Sequence, residues 1–178
     1  MVGKEIIDLS QEIHDGMPVY KSLSPVSMRV YATHELWDGD KNPTTQTPSV
    51  HQITMSEHTG THVDALNHMD RKNAGESIDT MPLSMFFTEG ICLDFSHKGL
   101  QELITTEDIK EACLKADVNI KKGDTVLLCT DHYRKHFDTP NWPKGPGITA
   151  EAAQYLGRLK IAAFGVETMS PGVPKISN

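Results

Sequence analysis

Short apolar segments alternate with amphipathic ones through the second half of the chain, and this alternation constrains the fold more than any other feature. The apolar runs are Gly90 to Phe95, Thr125 to Thr130 and Ile161 to Val166, each with the length and composition of a buried strand. Strands separated by helices indicate parallel pairing with crossover connections, because a tight turn cannot join parallel neighbours.

The two segments between these strands carry helix start signals. A helix is predicted over Thr105 to Ala116, with Thr105 as its N-cap and Asp108 three residues further on. A second helix is predicted from Thr149 to about Arg158, with Glu151 in its first turn, where a negative charge is favourable. The second half of the chain is therefore predicted to be strand, helix, strand, helix, strand.

The first half of the chain predicts a more antiparallel arrangement. Strand-like patterns occupy Glu5 to Ile13, Met28 to Leu36 and residues 50–58, and the polar, proline-containing stretch Asp38 to Pro48 is predicted to be an exposed loop. The sequence shows no internal repeat and no long linker. We therefore predict the α/β class, as a single domain over residues 1–178 with a mixed β-sheet flanked by helices.

Composition and charge exclude several classes of partner. The 178 residues are 38% hydrophobic and 23% charged, which suits a globular domain with a sizeable core. The formal net charge of −7, without a basic stripe, argues against nucleic acid as a partner. No run approaches the ~20 apolar residues of a membrane span, and the N-terminus has no signal-peptide pattern. A soluble, cytoplasmic domain is predicted.

Three cysteines, Cys92, Cys113 and Cys129, are odd in number and widely spaced, which fits reduced thiols better than a disulfide framework. Cys92 and Cys129 lie inside apolar strand-like runs, so we predict that they are small buried hydrophobic residues. A cysteine hydrolase that pairs Cys129 with His132 is a weaker alternative, because burial in a strand would raise the pKa of the thiol.

The run H-T-G-T-H-V-D-A-L-N-H, residues 58–68, holds the strongest signal for chemistry. It places three imidazoles and one carboxylate within eleven residues, and these are groups that bind zinc, manganese or iron(II). An H-x-x-x-H pair alone is weak evidence, and the zinc-protease motif H-E-x-x-H is absent from this run because Thr59 occupies the glutamate position.

The spacing within this run predicts how the side chains converge. Gly60 permits a tight turn, and an extended segment after it would point His62 and Asp64 the same way while Val63 points into the core. The turn could bring His58 round to join them as a set of two nitrogens and one carboxylate. Such a set leaves coordination positions open for water and substrate, as catalytic sites do.

The same run resembles the signature H-x-G-T-H-x-D-x-x-x-H of the metal-dependent cyclase/hydrolase family that includes bacterial kynurenine formamidase and isatin hydrolase. Further segments fall in the family's order and extend the resemblance over nearly the whole chain: D-L-S-Q-E-I-H-D-G-M-P-V-Y from Asp8 to Tyr20, G-D-T-V-L-L-C-T from Gly123 to Thr130, P-G-I-T-A-E-A-A-Q-Y-L, and F-G-V-E-T-M-S-P-G.

The resemblance implies a role for each residue of the run. His58, His62 and Asp64 would bind a divalent metal, Zn²⁺ or Mn²⁺, and His68 would be the catalytic proton donor and acceptor. Tyr20 falls near the position where some members carry a substrate-contacting Trp. The resemblance also implies a swivelling β/β/α fold and assembly as a homodimer or homotetramer.

The end of the chain departs from the family pattern. Members with two metals draw further ligands from a segment beyond the last shared motif, whereas this sequence stops at Asn178. The strand predicted at Ile161 to Val166 also runs into a Pro/Gly-rich stretch with no further element to cover it. We therefore expect a domain that is incomplete at its C-terminus, or one that another subunit completes.

The function implied is metal-dependent hydrolysis of a small N-formyl amide or a cyclic amide, imide or lactone, with His68 as general acid and base. A non-catalytic metal-binding or assembly module derived from this family is the alternative. Three residues after predicted strands, Asp131, His132 and Glu167, could orient a metal-bound imidazole or simply cap turns. Trp142 is predicted to be a packing anchor rather than a pocket wall.

Overall fold

The computed structural model describes residues 5–38 and 46–173. The chain divides into two compact units, an N-terminal unit that ends at Asp64 and a C-terminal unit that begins at Ala65. The α/β class predicted from the sequence is confirmed in these elements. A single domain over residues 1–178 stays a prediction.

The N-terminal unit is built on a two-stranded antiparallel ribbon. Strand β1 (Ser27–Ala32) pairs with strand β2 (Val50–Thr54), and the register shifts between Val30 and Ala32. A short helix, α1 (His34–Asp38), follows β1. The predicted strand over Met28 to Leu36 is thus correct only as far as Ala32. Within the predicted loop Asp38 to Pro48, residues 39–45 lie outside the described residues.

The strand predicted over Glu5 to Ile13 is wrong, because no ladder forms there. Its backbone groups find other partners: the Ser10 N–H donates to Asp8 Oδ1 over 2.8 Å, and the Gln11 N–H donates to Thr61 Oγ1 over 2.8 Å. An apolar pattern becomes a strand only where a neighbouring strand satisfies its N–H and C=O groups.

The C-terminal unit contains a three-stranded parallel sheet. Strands β3 (Gly90–Asp94), β5 (Thr125–Cys129) and β7 (Ala163–Val166) lie side by side in that order. A second, two-stranded parallel pair joins β4 (Leu103–Ile104) to β6 (Gly147–Ile148). The three long strands match the predicted ones to within two residues at each end, and their parallel pairing confirms the predicted crossovers.

Helices α2 (Thr106–Lys115) and α4 (Ala150–Arg158) form the crossovers, and a short helix, α3 (His132–His136), follows β5. Thr105 caps α2 in a full capping box with Asp108, as predicted. The Thr149 side chain caps α4 by accepting from the Ala152 N–H over 3.1 Å. Short 3-10 turns occupy Leu66–His68, Arg71–Asn73, Leu83–Phe86 and Trp142–Lys144.

One face of the parallel sheet packs on the helices. The buried core of this unit comprises Leu93, Phe95, Ile104, Ile109, Val126, Leu128, Ile148, Ala152 and Leu156. Each of the larger members contributes about 1.5–3 kcal/mol by leaving water. Strand side chains alternate, so the residues that neighbour Leu93 along β3, and Val126 and Leu128 along β5, point to the opposite face.

That opposite face corrects the prediction for the cysteines. Cys92 and Cys129 are exposed. Leu127, which pairs with Cys92 and lies two residues before Cys129 on β5, is 36% exposed. Ile109 of α2 and Ala152 and Leu156 of α4 lie in the buried core, so both crossover helices pack on the first face. The end of α2 also borders Cys92 and Asp94 at the β3 edge of the sheet, through Ala112, Lys115 and Ala116. An apolar run therefore indicated a strand correctly but did not show whether one face or both are covered.

Candidate metal centre

A tight turn after β2 brings the candidate ligands together within the N-terminal unit. Gly60 adopts φ +62°, a left-handed conformation in which glycine carries no steric cost. A Cβ at this position would lie 3.2 Å from Ile13 Cγ1, so the backbone passes close to a neighbouring side chain. The turn predicted at Gly60 is present in the structure.

Three ligand atoms form a small triangle at this turn. His58 Nδ1 lies 2.8 Å from Asp64 Oδ1, His62 Nε2 lies 3.3 Å from the same oxygen, and the two nitrogens are 3.2 Å apart. Donor atoms that share an ion at ~2.1 Å are separated by about 3.0 Å in octahedral geometry and about 3.4 Å in tetrahedral geometry. The donor set of two imidazole nitrogens and one carboxylate oxygen therefore fits a divalent transition metal in both chemistry and spacing.

A backbone oxygen holds His62 in the orientation that metal binding needs, and a carboxylate lies near the second ring nitrogen of His58. His62 Nδ1 lies 2.8 Å from the carbonyl oxygen of Gly60, which makes Nδ1 the protonated nitrogen and leaves Nε2 with a lone pair. His58 presents Nδ1 to the triangle, and its other ring nitrogen, Nε2, lies 3.5 Å from Glu57 Oε1. The motif alone did not reveal these roles of Glu57 and the Gly60 carbonyl, because they depend on the local path of the chain.

The triangle is open to solvent. The side chains of His58, His62 and Asp64 are 21%, 33% and 48% exposed, so water and a small molecule can reach the ligand atoms. Val63 is 50% exposed, and the prediction that it points into the core is wrong. The segment after Gly60 lies at the surface, where the alternation of side chains does not require a buried partner.

His68 and Tyr20 lie on irregular segments. His68 ends the 3-10 turn Leu66–His68 at the start of the C-terminal unit, and its N–H donates to the Ala65 carbonyl over 3.0 Å. Tyr20, in the N-terminal unit, is 41% exposed, and its carbonyl accepts from the Leu23 N–H over 2.8 Å.

Asp131, His132 and Glu167 have structural partners in the C-terminal unit. Asp131 is the left-handed N-cap residue of α3 and forms ion pairs with Arg134 at 3.4 Å and Lys135 at 3.3 Å. Glu167 accepts from the Thr130 N–H, from Thr130 Oγ1 at 2.9 Å and from the Tyr133 N–H at 3.3 Å. These contacts favour the capping alternative for Glu167, whereas the Asp131 side chain makes no capping hydrogen bond to α3 and pairs with the two cations instead.

His132 is buried and belongs to an aromatic cluster. Its ring stacks on Trp142 with centroids 5.5 Å apart, and its Nε2 lies 3.0 Å from the Trp142 carbonyl oxygen. Burial lowers the pKa of His132, which favours the neutral form of its imidazole. Trp142 is itself buried, as predicted for a packing anchor.

Comparison with known proteins agrees with the resemblance carried by the motifs. Residues 7–173 match the Cyclase family, and the chain therefore belongs to that family. The kynurenine formamidase of Geobacillus thermodenitrificans is 32% identical to this chain over 92% of the chain and 68% of the relative. The kynurenine formamidase of Bacillus cytotoxicus is 26% identical over 96% of the chain and 71% of the relative.

Solved structures share the fold. Isatin hydrolase A from Labrenzia aggregata matches with a TM-score of 0.79 at 24% identity, covering 94% of this chain and 69% of that structure. A predicted metal-dependent hydrolase from Bacillus stearothermophilus matches with a TM-score of 0.64 at 26% identity, covering 97% and 72%. Among the described residues, no helix has the length and apolar character needed to cross a membrane.

Proposed function

We propose that this protein is a metal-dependent hydrolase that cleaves the C–N bond of a small N-formyl amide or a cyclic amide, or the ring of an imide or lactone. The observation that carries the proposal is the triangle of His58 Nδ1, His62 Nε2 and Asp64 Oδ1, with sides of 2.8, 3.3 and 3.2 Å. Membership of the Cyclase family and similarity to kynurenine formamidases support the class of reaction.

In this mechanism His58, His62 and Asp64 hold one divalent ion, Zn²⁺ or Mn²⁺. Such an ion, when bound, supplies Lewis acidity that polarises a carbonyl and lowers the pKa of water. The Gly60 carbonyl keeps His62 in the tautomer whose Nε2 can bind the ion, and Glu57 lies 3.5 Å from Nε2 of His58. The exposure of the three side chains leaves room for water and the substrate carbonyl beside them.

His68 is proposed as the general acid and base. It accepts the proton of the attacking water and returns it to the leaving nitrogen, and imidazole exchanges protons near neutral pH, which suits both steps. Its position four residues after Asp64, at the end of a 3-10 turn, follows the order of the family signature. Tyr20 is proposed to contact the substrate, and its exposed ring is accessible for that contact.

The test combines metal analysis with turnover. The purified protein is analysed for bound metal and assayed against a panel of aryl formamides, lactams, cyclic imides and lactones. Asp64→Asn and His58→Ala should lose bound metal and turnover together. His51→Ala is the matched control, because His51 is an exposed imidazole on β2 outside the triangle, and it should keep both. Turnover that survives complete removal of the metal would refute the mechanism.

The non-catalytic alternative predicts a different result. A metal-binding or assembly module would bind metal through the same three residues and show no turnover of any substrate in the panel. Metal content alone therefore tests the site, and turnover tests the reaction.

We also propose that the protein is cytoplasmic and assembles as a homodimer or homotetramer. The three cysteines are free thiols, which fits a reducing compartment. One face of the β1–β2 ribbon presents Met28, Val30 and Ile53, which are 36%, 59% and 55% exposed. A second copy of the chain would remove this apolar surface from water.

A further inference from the structure

Two cysteine thiols lie together on the open face of the parallel sheet. In the register of β3 and β5, Cys92 stands opposite Leu127 and Asp94 stands opposite Cys129. Partners in register share a face, and residues two apart on one strand also share it. Cys92 and Cys129 therefore project from the same face of neighbouring strands, and both are exposed.

The pKa of the Cys92 thiol responds to other groups on this face, in agreement with the strand register. Burial raises the pKa of the Cys92 thiol, and Cys129 raises it further by charge and by a side-chain hydrogen bond. Glu167 and Asp94 add smaller increases in the same direction through their negative charges. The two thiols thus share one small region with two carboxylates, at the carboxyl ends of the strands.

This chemistry selects a class of ligand. Asp94 and Glu167 contribute negative charge near the thiols, which the ammonium of Lys115 beside Asp94 offsets in part. The raised thiol pKa makes Cys92 a poor nucleophile near neutral pH. A cation that prefers sulfur can displace the thiol protons, because metal binding requires the thiolate form and releases protons. Two thiolates neutralise one divalent charge, and water molecules complete a four-ligand shell.

We propose that Cys92 and Cys129 form a second metal site, separate from the histidine-containing triangle, that binds one divalent d¹⁰ cation of the zinc and cadmium class. Binding replaces two S–H bonds with two metal–sulfur bonds and releases two protons, with no change in oxidation state. Hard cations such as Mn²⁺ do not bind there, since they prefer oxygen ligands.

Cadmium is the probe, because thiolate-to-cadmium charge transfer absorbs in the near ultraviolet and imidazole or carboxylate ligation does not produce that band. The full chain, reduced with a phosphine, is titrated with Cd²⁺. We expect the band to saturate at one equivalent of thiolate-bound metal. It should be lost in Cys92→Ser and in Cys129→Ser.

Cys113→Ser is the matched control. Cys113 lies on α2 and packs against the core, and burial raises the pKa of its thiol too, but it stands apart from the pair. The band should be unchanged in Cys113→Ser and in His58→Ala. The band therefore tests the thiol site independently of the histidine-containing triangle on which the proposed function depends. The proposal is overturned if the parent shows no band, if the band survives in both serine variants of the pair, or if Cys113→Ser abolishes it. Circular dichroism verifies that each variant is folded. If Cys92→Ser does not fold, Cys92→Val takes its place.

Discussion

At the scale of single residues, one carboxylate oxygen organises the candidate metal centre. Asp64 Oδ1 lies within 3.3 Å of a nitrogen from each of two imidazoles, and the nitrogens are themselves 3.2 Å apart. Two lone pairs directed at each other at this distance repel unless a proton or a cation lies between them. The arrangement therefore suits a divalent ion that all three donor atoms can share.

His68 provides the sharpest residue-scale prediction. We expect His68→Ala to keep bound metal near the parent level and to lower kcat by about 10²–10⁴-fold, the usual effect of losing a general acid–base group. His62→Ala should instead lose metal and activity together, because His62 supplies one corner of the triangle. Metal analysis and steady-state kinetics on the same preparations measure both effects.

Two results would contradict this assignment. Loss of metal from His68→Ala would make His68 a ligand and leave the proton transfer to another group. Full turnover with full metal content would show that no proton passes through it.

At the scale of elements, the turn at Gly60 links backbone conformation to ligand orientation. A residue with a Cβ pays about 1–2 kcal/mol in the left-handed region. Gly60→Ala would also place its Cβ 3.2 Å from Ile13 Cγ1 and disturb the carbonyl that holds His62. We expect Gly60→Ala to lower both the free energy of unfolding and the affinity for metal.

Gly16→Ala separates those two effects. Gly16 has a similar φ of +70°, but nothing lies within 4 Å of its Cβ position. In Gly16→Ala the free energy of unfolding should fall by a comparable amount, from backbone strain alone, while the affinity for metal stays at the parent level. Denaturant titration and metal titration of both variants provide the measurements, and equal loss of metal affinity in the two would remove the special role of Gly60.

The capping box of α2 is a second element-scale test. Thr105 Oγ1 accepts from the Asp108 N–H over 3.2 Å, and Asp108 Oδ2 accepts from the Thr105 N–H over 2.7 Å. Thr105→Ala should lower the free energy of unfolding by about 0.5–2 kcal/mol. Thr106→Ala, one residue into the helix, removes no cap and should change it by less. Equal losses in the two variants would show that the capping bond contributes little.

Elements whose determinants are local were predictable from the sequence, and those with distant determinants were not. The caps at Thr105 and Thr149 and the turn at Gly60 are local, and all three are present. The segment Glu5 to Ile13 has an apolar pattern but forms no strand, because pairing depends on a remote neighbour.

The same distinction between local and distant determinants applies to the candidate metal centre and to the cysteine pair. The short run from His58 to Asp64 contains its own turn, so its convergence could be anticipated from spacing. The exposure of Cys92 and Cys129 could not, because it depends on which side of the sheet two crossover helices occupy. The juxtaposition of those thiols follows from strand register, which a single strand's sequence does not specify.

At the scale of the whole molecule, the β1–β2 ribbon raises the question of assembly. An isolated two-stranded ribbon is marginally stable in water, and this one presents apolar side chains at its surface. In its register Met28 pairs with Ile53 and Val30 pairs with His51, so the apolar members share one face. An interface formed by two copies of this face would be isologous, the commonest arrangement in homo-oligomers.

Ile53→Lys tests whether that face mediates assembly. A lysine at the centre of an apolar two-fold contact would meet its own copy as a like charge, so the variant should shift toward the monomer in light scattering coupled to size exclusion. Gln52→Lys is the matched control, since Gln52 pairs with Arg29 on the opposite face of the same ribbon and is also exposed. The control should keep the parent mass. A parent that stays monomeric at every concentration would refute self-association, and equal dissociation of both variants would move the interface away from this face.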